Sequence, residues 1–159
     1  TRIINPDRLI DKFTGKEGLF ENSPFDERTR QIISKSKMPL GVLIDKDLQQ
    51  VKNVFIPLFF PEDTFLMDYC QKLIYNSNAN ISVLDINNLV KSNFVMQSAL
   101  HSLEDKYPNN MTLLQDRIMK KEFLAKQDLM IISLESWKKL VDSQSVWLSN
   151  VPSVLILKP

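Results

Sequence analysis

From Pro39 onward the sequence alternates short apolar runs with amphipathic stretches, and this rhythm leaves few folds open to it. Pro39–Asp45 (PLGVLID), Asn53–Phe60 (NVFIPLFF), Ile81–Ile86 (ISVLDI), Leu129–Leu134 (LMIISL) and Val154–Leu157 (VLIL) have the length and composition of buried strands. Met111–Leu114 is a shorter run suited to a sheet edge. Pro61 opens a helix with Glu62 and Asp63 in its first turn, where the helix dipole favours acids. That helix carries Phe65, Leu66, Tyr69, Cys70, Leu73 and Ile74 on one face. A second helix is predicted over Ser92–Tyr107, with Phe94, Val95, Ala99, Leu100, Leu103 and Tyr107 inward and His101 off that face. A polar helix from about Asp116 to Lys126 follows, and Trp137, Leu140, Val141, Trp147 and Leu148 mark another before the last strand. Strands alternating with helices predict an α/β fold: an open parallel sheet with right-handed crossovers and helices on both faces.

Residues 1–36 read differently, as two short helical pieces around a loose loop. Asn5–Pro6 and Ser23–Pro24 both have the form of an N-cap followed by a first helical residue, with Ile4 and Leu9 placed as a hydrophobic staple for the first. The second helix places Phe25, Thr29, Ile32 and Ile33 on one face, with Asp26 in its first turn. Thr14–Asn22 (TGKEGLFEN) is the candidate mobile segment.

Several kinds of chemistry are excluded by what the chain lacks. Its 159 residues suit one domain, and 43% hydrophobic residues are enough to bury a core. Lys and Arg total 20 against 19 Asp and Glu, a formal charge of +1, so no nucleic-acid partner is expected. One cysteine, Cys70, and one histidine, His101, supply neither a disulfide nor a zinc site, and no nucleophile motif surrounds His101. Its three glycines, Gly15, Gly18 and Gly41, leave residues 42–159 without the glycines of a Walker loop or a dinucleotide fingerprint. No cofactor or metal is expected. There is no apolar run long enough to span a bilayer, and the start lacks the layout of a signal peptide. The first residue is Thr1 rather than Met, which suits a piece of a longer protein.

Residues 52–158, arranged β-α-β-α-β-α-β-α-β, resemble a universal stress protein domain. Three stretches carry the likeness: Val54-Phe55-Ile56-Pro57-Leu58, Asp128-Leu129-Met130-Ile131-Ile132, and Val151-Pro152-Ser153-Val154-Leu155-Ile156-Leu157, with its Pro before a Val-Leu-aliphatic run. The turn Leu58-Phe59-Phe60-Pro61-Glu62-Asp63 is similar to the first strand-to-helix junction in the cytoplasmic tails of bacterial monovalent cation:proton antiporters. Residues 25–45, ending in Met38-Pro39-Leu40-Gly41-Val42-Leu43-Ile44-Asp45, resemble the end of a preceding unit of such a tail. The resemblance implies a remnant unit over residues 1–45 and a complete one over residues 50–159. It also implies a five-stranded parallel sheet of order 3-2-1-4-5, counted from Asn53. Family members associate through the fifth strand, so Leu43, Val154 and Ile156 are interface candidates. Within the chain, Leu40–Ile44 is expected to pair antiparallel with Val154–Leu157, because an apolar edge left bare invites aggregation.

The departures bear on mechanism. ATP-binding members of that family carry Gly-x2-Gly-x9-Gly-Ser/Thr after the fourth strand, whereas this chain has Ser133-Leu134-Glu135-Ser136-Trp137-Lys138-Lys139, with an acid where phosphates would sit. Phe59 takes the place of their Asp at the end of the first strand. An echo of the motif, Gly15-Lys16-Glu17-Gly18 with Thr29, has Arg28 in place of its third glycine. The implied role is a non-catalytic regulatory or assembly domain on the cytoplasmic side of the bacterial inner membrane. Its partners would be the membrane transport domain of the same polypeptide and a second copy in a homodimer, without a bound nucleotide. The alternatives are a stand-alone stress protein binding ATP and a sensor of some other small ligand or anion. Any small ligand is expected in the crevice beyond the carboxyl ends of the strands, lined by Phe59, Phe60, Asp85, Ser133 and Glu135. His101 is read as a solvated residue, Cys70 as core, and Lys120-Lys121 and Lys138-Lys139 as solvated helix faces rather than lipid contacts.

Overall fold

The computed structural model describes residues 2–4, 27–115, 120–143 and 146–159. Its strands are β1 (Arg2–Ile4), β2 (Leu40–Ile44), β3 (Asn53–Leu58), β4 (Asn80–Asp85), β5 (Met111–Leu113), β6 (Leu129–Ser133) and β7 (Ser153–Lys158). Its helices are α1 (Glu27–Lys35), α2 (Leu66–Ser77), α3 (Leu89–Ser92), α4 (Phe94–Lys106), α5 (Lys121–Ala125) and α6 (Leu134–Asp142), with 3-10 turns at Pro61–Phe65 and Val146–Ser149. The strands form one sheet in the order β1-β2-β7-β6-β3-β4-β5. Strands β3 to β7 are parallel neighbours in the expected order, and β2 runs antiparallel to β7, from Leu40↔Lys158 to Ile44↔Val154.

Alternation along the strands divides the core into two layers. Val54, Ile56 and Leu58 of β3 face one way, against Leu66, Cys70 and Leu73 of α2 and Met96, Leu100 and Leu103 of α4. Phe55 faces the other way, with Met130 and Ile132 of β6, Ile33 of α1, Leu124 of α5, and Trp137 and Leu140 of α6. Helices therefore cover both faces, α2 to α4 on one and α1, α5 and α6 on the other. Because no glycine follows Gly41, left-handed positions fall to Asp47, Asn78 and Asn88, the side chains that tolerate positive φ best. Asn78, at φ 50°, ends α2 by donating its N–H to the Ile74 carbonyl.

Three expectations need correction. The chain opens with a strand, since β1 pairs antiparallel with β2 at Arg2↔Leu43, Ile3↔Val42 and Ile4↔Gly41. The inward face proposed for Ser92–Tyr107 is misplaced at its start, where Phe94 is 80% and Val95 63% exposed. The cause is a break at Asn93, extended in backbone, whose side chain accepts from the Met96 N–H and starts α4 anew. The inward stripe then runs Met96, Leu100, Leu103. Ile32 of α1 is exposed while Ile33 is buried, so of the two only Ile33 packs into the core layer on that face.

Other readings fall outside the described residues. They are the Asn5–Pro6 and Ser23–Pro24 starts, the Ile4–Leu9 staple, Thr14–Asn22, the Gly15–Gly18 echo, Phe25, Asp26, residues 116–119 of the polar helix, and the side chains of Arg28, Thr29 and Trp147.

Candidate functional site

The crevice of an open α/β sheet lies where the chain switches sides. Here that point is between β3 and β6, since β4 and β5 extend the sheet one way and β6 and β7 the other. The two strands match in register only at Val54↔Leu129 and Phe55↔Met130. Pro57 follows two residues later and has no N–H to continue the ladder. The β3–β4 register, by contrast, runs the full length from Asn53↔Asn80 to Leu58↔Asp85.

Carboxylates hold this thinly paired seam at both ends. At the amino end, Asp128 Oδ2 accepts from the N–H groups of Lys52 and Asn53 at 3.0 and 2.9 Å. At the carboxyl end the work falls to Asp63, which is only 1% exposed. Its Oδ2 accepts from the backbone N–H of Phe59 at 2.8 Å and of Phe60 at 3.0 Å, and from the Ser136 hydroxyl at 2.8 Å. Its Oδ1 accepts from the Ser133 hydroxyl. Both hydroxyls spend their protons on this carboxylate, and Ser133 Oγ in turn accepts from the Ser136 N–H as N-cap of α6. Four donors from two strand-to-helix junctions thus compensate the burial of one carboxyl group, which unpaired would be costly.

The position has a chemical meaning. The first turn of α6 is where the helix dipole and unpaired amides favour an anion. In this chain the anion is Asp63, contributed from the other side of the switch point. Asp63 is the residue that sequence reasoning missed, having been assigned to the dipole of its own turn. A weak signal was present: an acid three residues beyond Phe60 can reach back to that residue's N–H, as in a capping box.

The five expected ligand residues are only partly brought together. Phe60, Ser133 and Glu135 line a cleft of about 480 Å³ together with Glu62, Asp63, Phe65, Leu134, Lys158 and Pro159. Phe59 is buried in the core beneath, its carbonyl accepting from the Asn87 amide at 2.7 Å. Asp85 is turned to another task, accepting from the N–H groups of Leu89 and Val90 at 2.7 and 2.9 Å and so starting α3. Glu135 stands at the rim, its side chain 71% exposed and 3.2 Å from the Lys138 ammonium. The acid in the anion position is therefore Asp63 rather than Glu135.

The interface candidates lie away from the crevice, Leu43 facing one core layer and Val154 and Ile156 the other. Leu43, Val154 and Ile156 belong to the β2–β7 seam and are buried within the chain. Cys70 is fully buried, and desolvation pushes its thiol far above the ordinary range, so it fills the core in an inert form. His101 is exposed on α4. Among the described residues there is no group of three or more His, Cys, Asp or Glu placed to hold a metal ion, and no helix long and apolar enough to cross a membrane. Compared with protein-family models, with curated proteins and with solved structures, the chain matches none.

Proposed function

We propose that this chain is a non-catalytic regulatory and assembly domain whose crevice is closed to phosphate. The observation that carries the reading is Asp63, a buried carboxylate occupied by four donors at the switch point of the sheet, beside the first turn of α6. A nucleotide phosphate entering there would meet a fixed negative charge, and the Ser133 and Ser136 hydroxyls that could bind it are already donating elsewhere. The stretches that resemble cation:proton antiporter tails support placing the domain on the cytoplasmic side of a bacterial inner membrane, joined to the transport domain of its own polypeptide. Because β2 already pairs with β7, self-association in a homodimer would use a surface other than that strand edge.

Thermal melts with ATP, AMP and cyclic dinucleotides test the reading. A ligand that binds only the folded state at about 100 times its Kd adds about 2.7 kcal/mol. For a chain of this size that is a rise of roughly 5–10 °C. No shift is expected with any of them. A clear rise with ATP would instead favour the stand-alone nucleotide-binding alternative.

A further inference from the structure

The cleft above the crevice is large enough for a small organic molecule, at about 480 Å³. Its character follows from seven side chains. Phe60 and Phe65 come from the turn after β3, and Leu134 opens α6. Glu62 and Glu135 stand at the rim, both exposed. The cation in the lining, Lys158, is already engaged: its ammonium donates to the carbonyls of Ile33 and Ser36 at 2.7 and 2.8 Å, two of its three donors. Beneath them lies the carboxylate of Asp63. Three carboxylates and two aromatic rings thus line the cavity, against one lining ammonium tied to the end of α1 and the half-exposed Lys138 ammonium outside the lining, 3.2 Å from Glu135.

Carboxylates and ring faces attract the same kind of guest. We propose that this cleft binds a small organic cation, an amine carried on an aromatic or aliphatic body, which would be the signal the domain senses. The body would lie against Phe60, Phe65 and Leu134, and the ammonium would sit between Glu62 and Glu135. The proposal rests on the reading that the crevice rejects phosphate and names what it accepts instead.

Phenethylamine, 2-phenylethanol and 3-phenylpropionate share an aromatic body and differ in charge. Titrated into the full chain and followed by amide chemical shifts in NMR, the amine is expected to move Phe60, Phe65, Leu134 and Glu135 saturably. The alcohol and the acid should bind at least about fivefold more weakly, as charge selection by unequal numbers of carboxylates and ammoniums requires. The double substitution Glu62→Gln, Glu135→Gln changes only exposed positions, so its melting temperature should hold within about 1 °C. Its affinity for phenethylamine should drop about fivefold or more. Equal binding of the acid, saturable shifts confined to another surface, no saturable shifts at all, or unchanged affinity in the double variant would each overturn the proposal. ATP in the same titration keeps the two readings apart: binding of ATP removes the closed crevice, whereas failure of the amine alone removes only the sensed cation.

Discussion

Asp63 shows how one side chain can decide what a crevice does. It is buried beside neutral donors only, so its place depends on all four hydrogen bonds being made at once. Asp63→Ala would leave the N–H groups of Phe59 and Phe60 and two serine hydroxyls without their acceptor. Each buried orphan costs about 1–3 kcal/mol, reduced where water enters or a hydroxyl turns, so a total loss of about 2–4 kcal/mol is expected. Asp63→Asn keeps one acceptor oxygen but points an amide N–H₂ at donors, and should lie between the two. Urea unfolding at neutral pH reads these differences. An alanine variant as stable as the parent would show that the four bonds add nothing, and the account of the crevice would go with them. Little of this was legible in the sequence. The acid and its hydroxyl partners are separated by 70 and 73 positions, and neither spacing nor periodicity connects residues across a sheet.

At the scale of elements, the sequence was most informative where an element is long and buried on both sides. The runs at Asn53–Phe60, Leu129–Leu134 and Val154–Leu157 became β3, β6 and β7, because parallel strands covered on both faces must be almost continuously apolar. The order of the strands and the antiparallel partner at Leu40–Ile44 were legible through family resemblance combined with the need to cover an apolar edge. Short or interrupted elements were not. Three residues, Arg2–Ile4, carry too little pattern to announce an edge strand, and the break at Asn93 turned a continuous helical reading by enough to expose Phe94 and Val95. The attachment of α1 was equally hidden. Lys158, at the end of β7, reaches the carbonyls of Ile33 and Ser36 and so neutralises the negative end of that helix. Lys158→Met keeps much of the aliphatic stem and removes the donors. It should cost about 1 kcal/mol. Hydrogen exchange should quicken in Glu27–Lys35 while amides of β3 and β6 keep their protection. Unchanged exchange in α1 would mean that Lys158 does not hold the helix down.

For the molecule as a whole, the open question is whether residues 1–45 are an appendage or part of the fold. The sequence leads one to expect a complete unit over residues 50–159, yet β2 is built into the same sheet and into both of its core layers. Leu43 packs with the layer under α2 and α4, and Val42 and Ile44 pack with Ile33 in the layer under α6. Full burial of a large aliphatic side chain is worth about 1.5–3 kcal/mol, so these four residues contribute roughly 6–12 kcal/mol between them. That is comparable with the total stability of an ordinary domain, about 5–15 kcal/mol. Removing them would also bare the whole length of β7, where Val154, Leu155, Ile156 and Leu157 are all buried. An unpaired edge of that kind seeks another strand. A chain lacking residues 1–45 is therefore expected to associate or precipitate, and any soluble fraction should be a dimer joined through β7, with a second copy in the place of β2. Size-exclusion chromatography with light scattering and a thermal melt decide the matter. A monomer that melts cooperatively near the parent temperature would make residues 50–159 a self-sufficient unit and reduce β2 to an ornament of its edge. The expected dimer would show instead that this chain meets, with its own Leu40–Ile44, the need for strand pairing along β7.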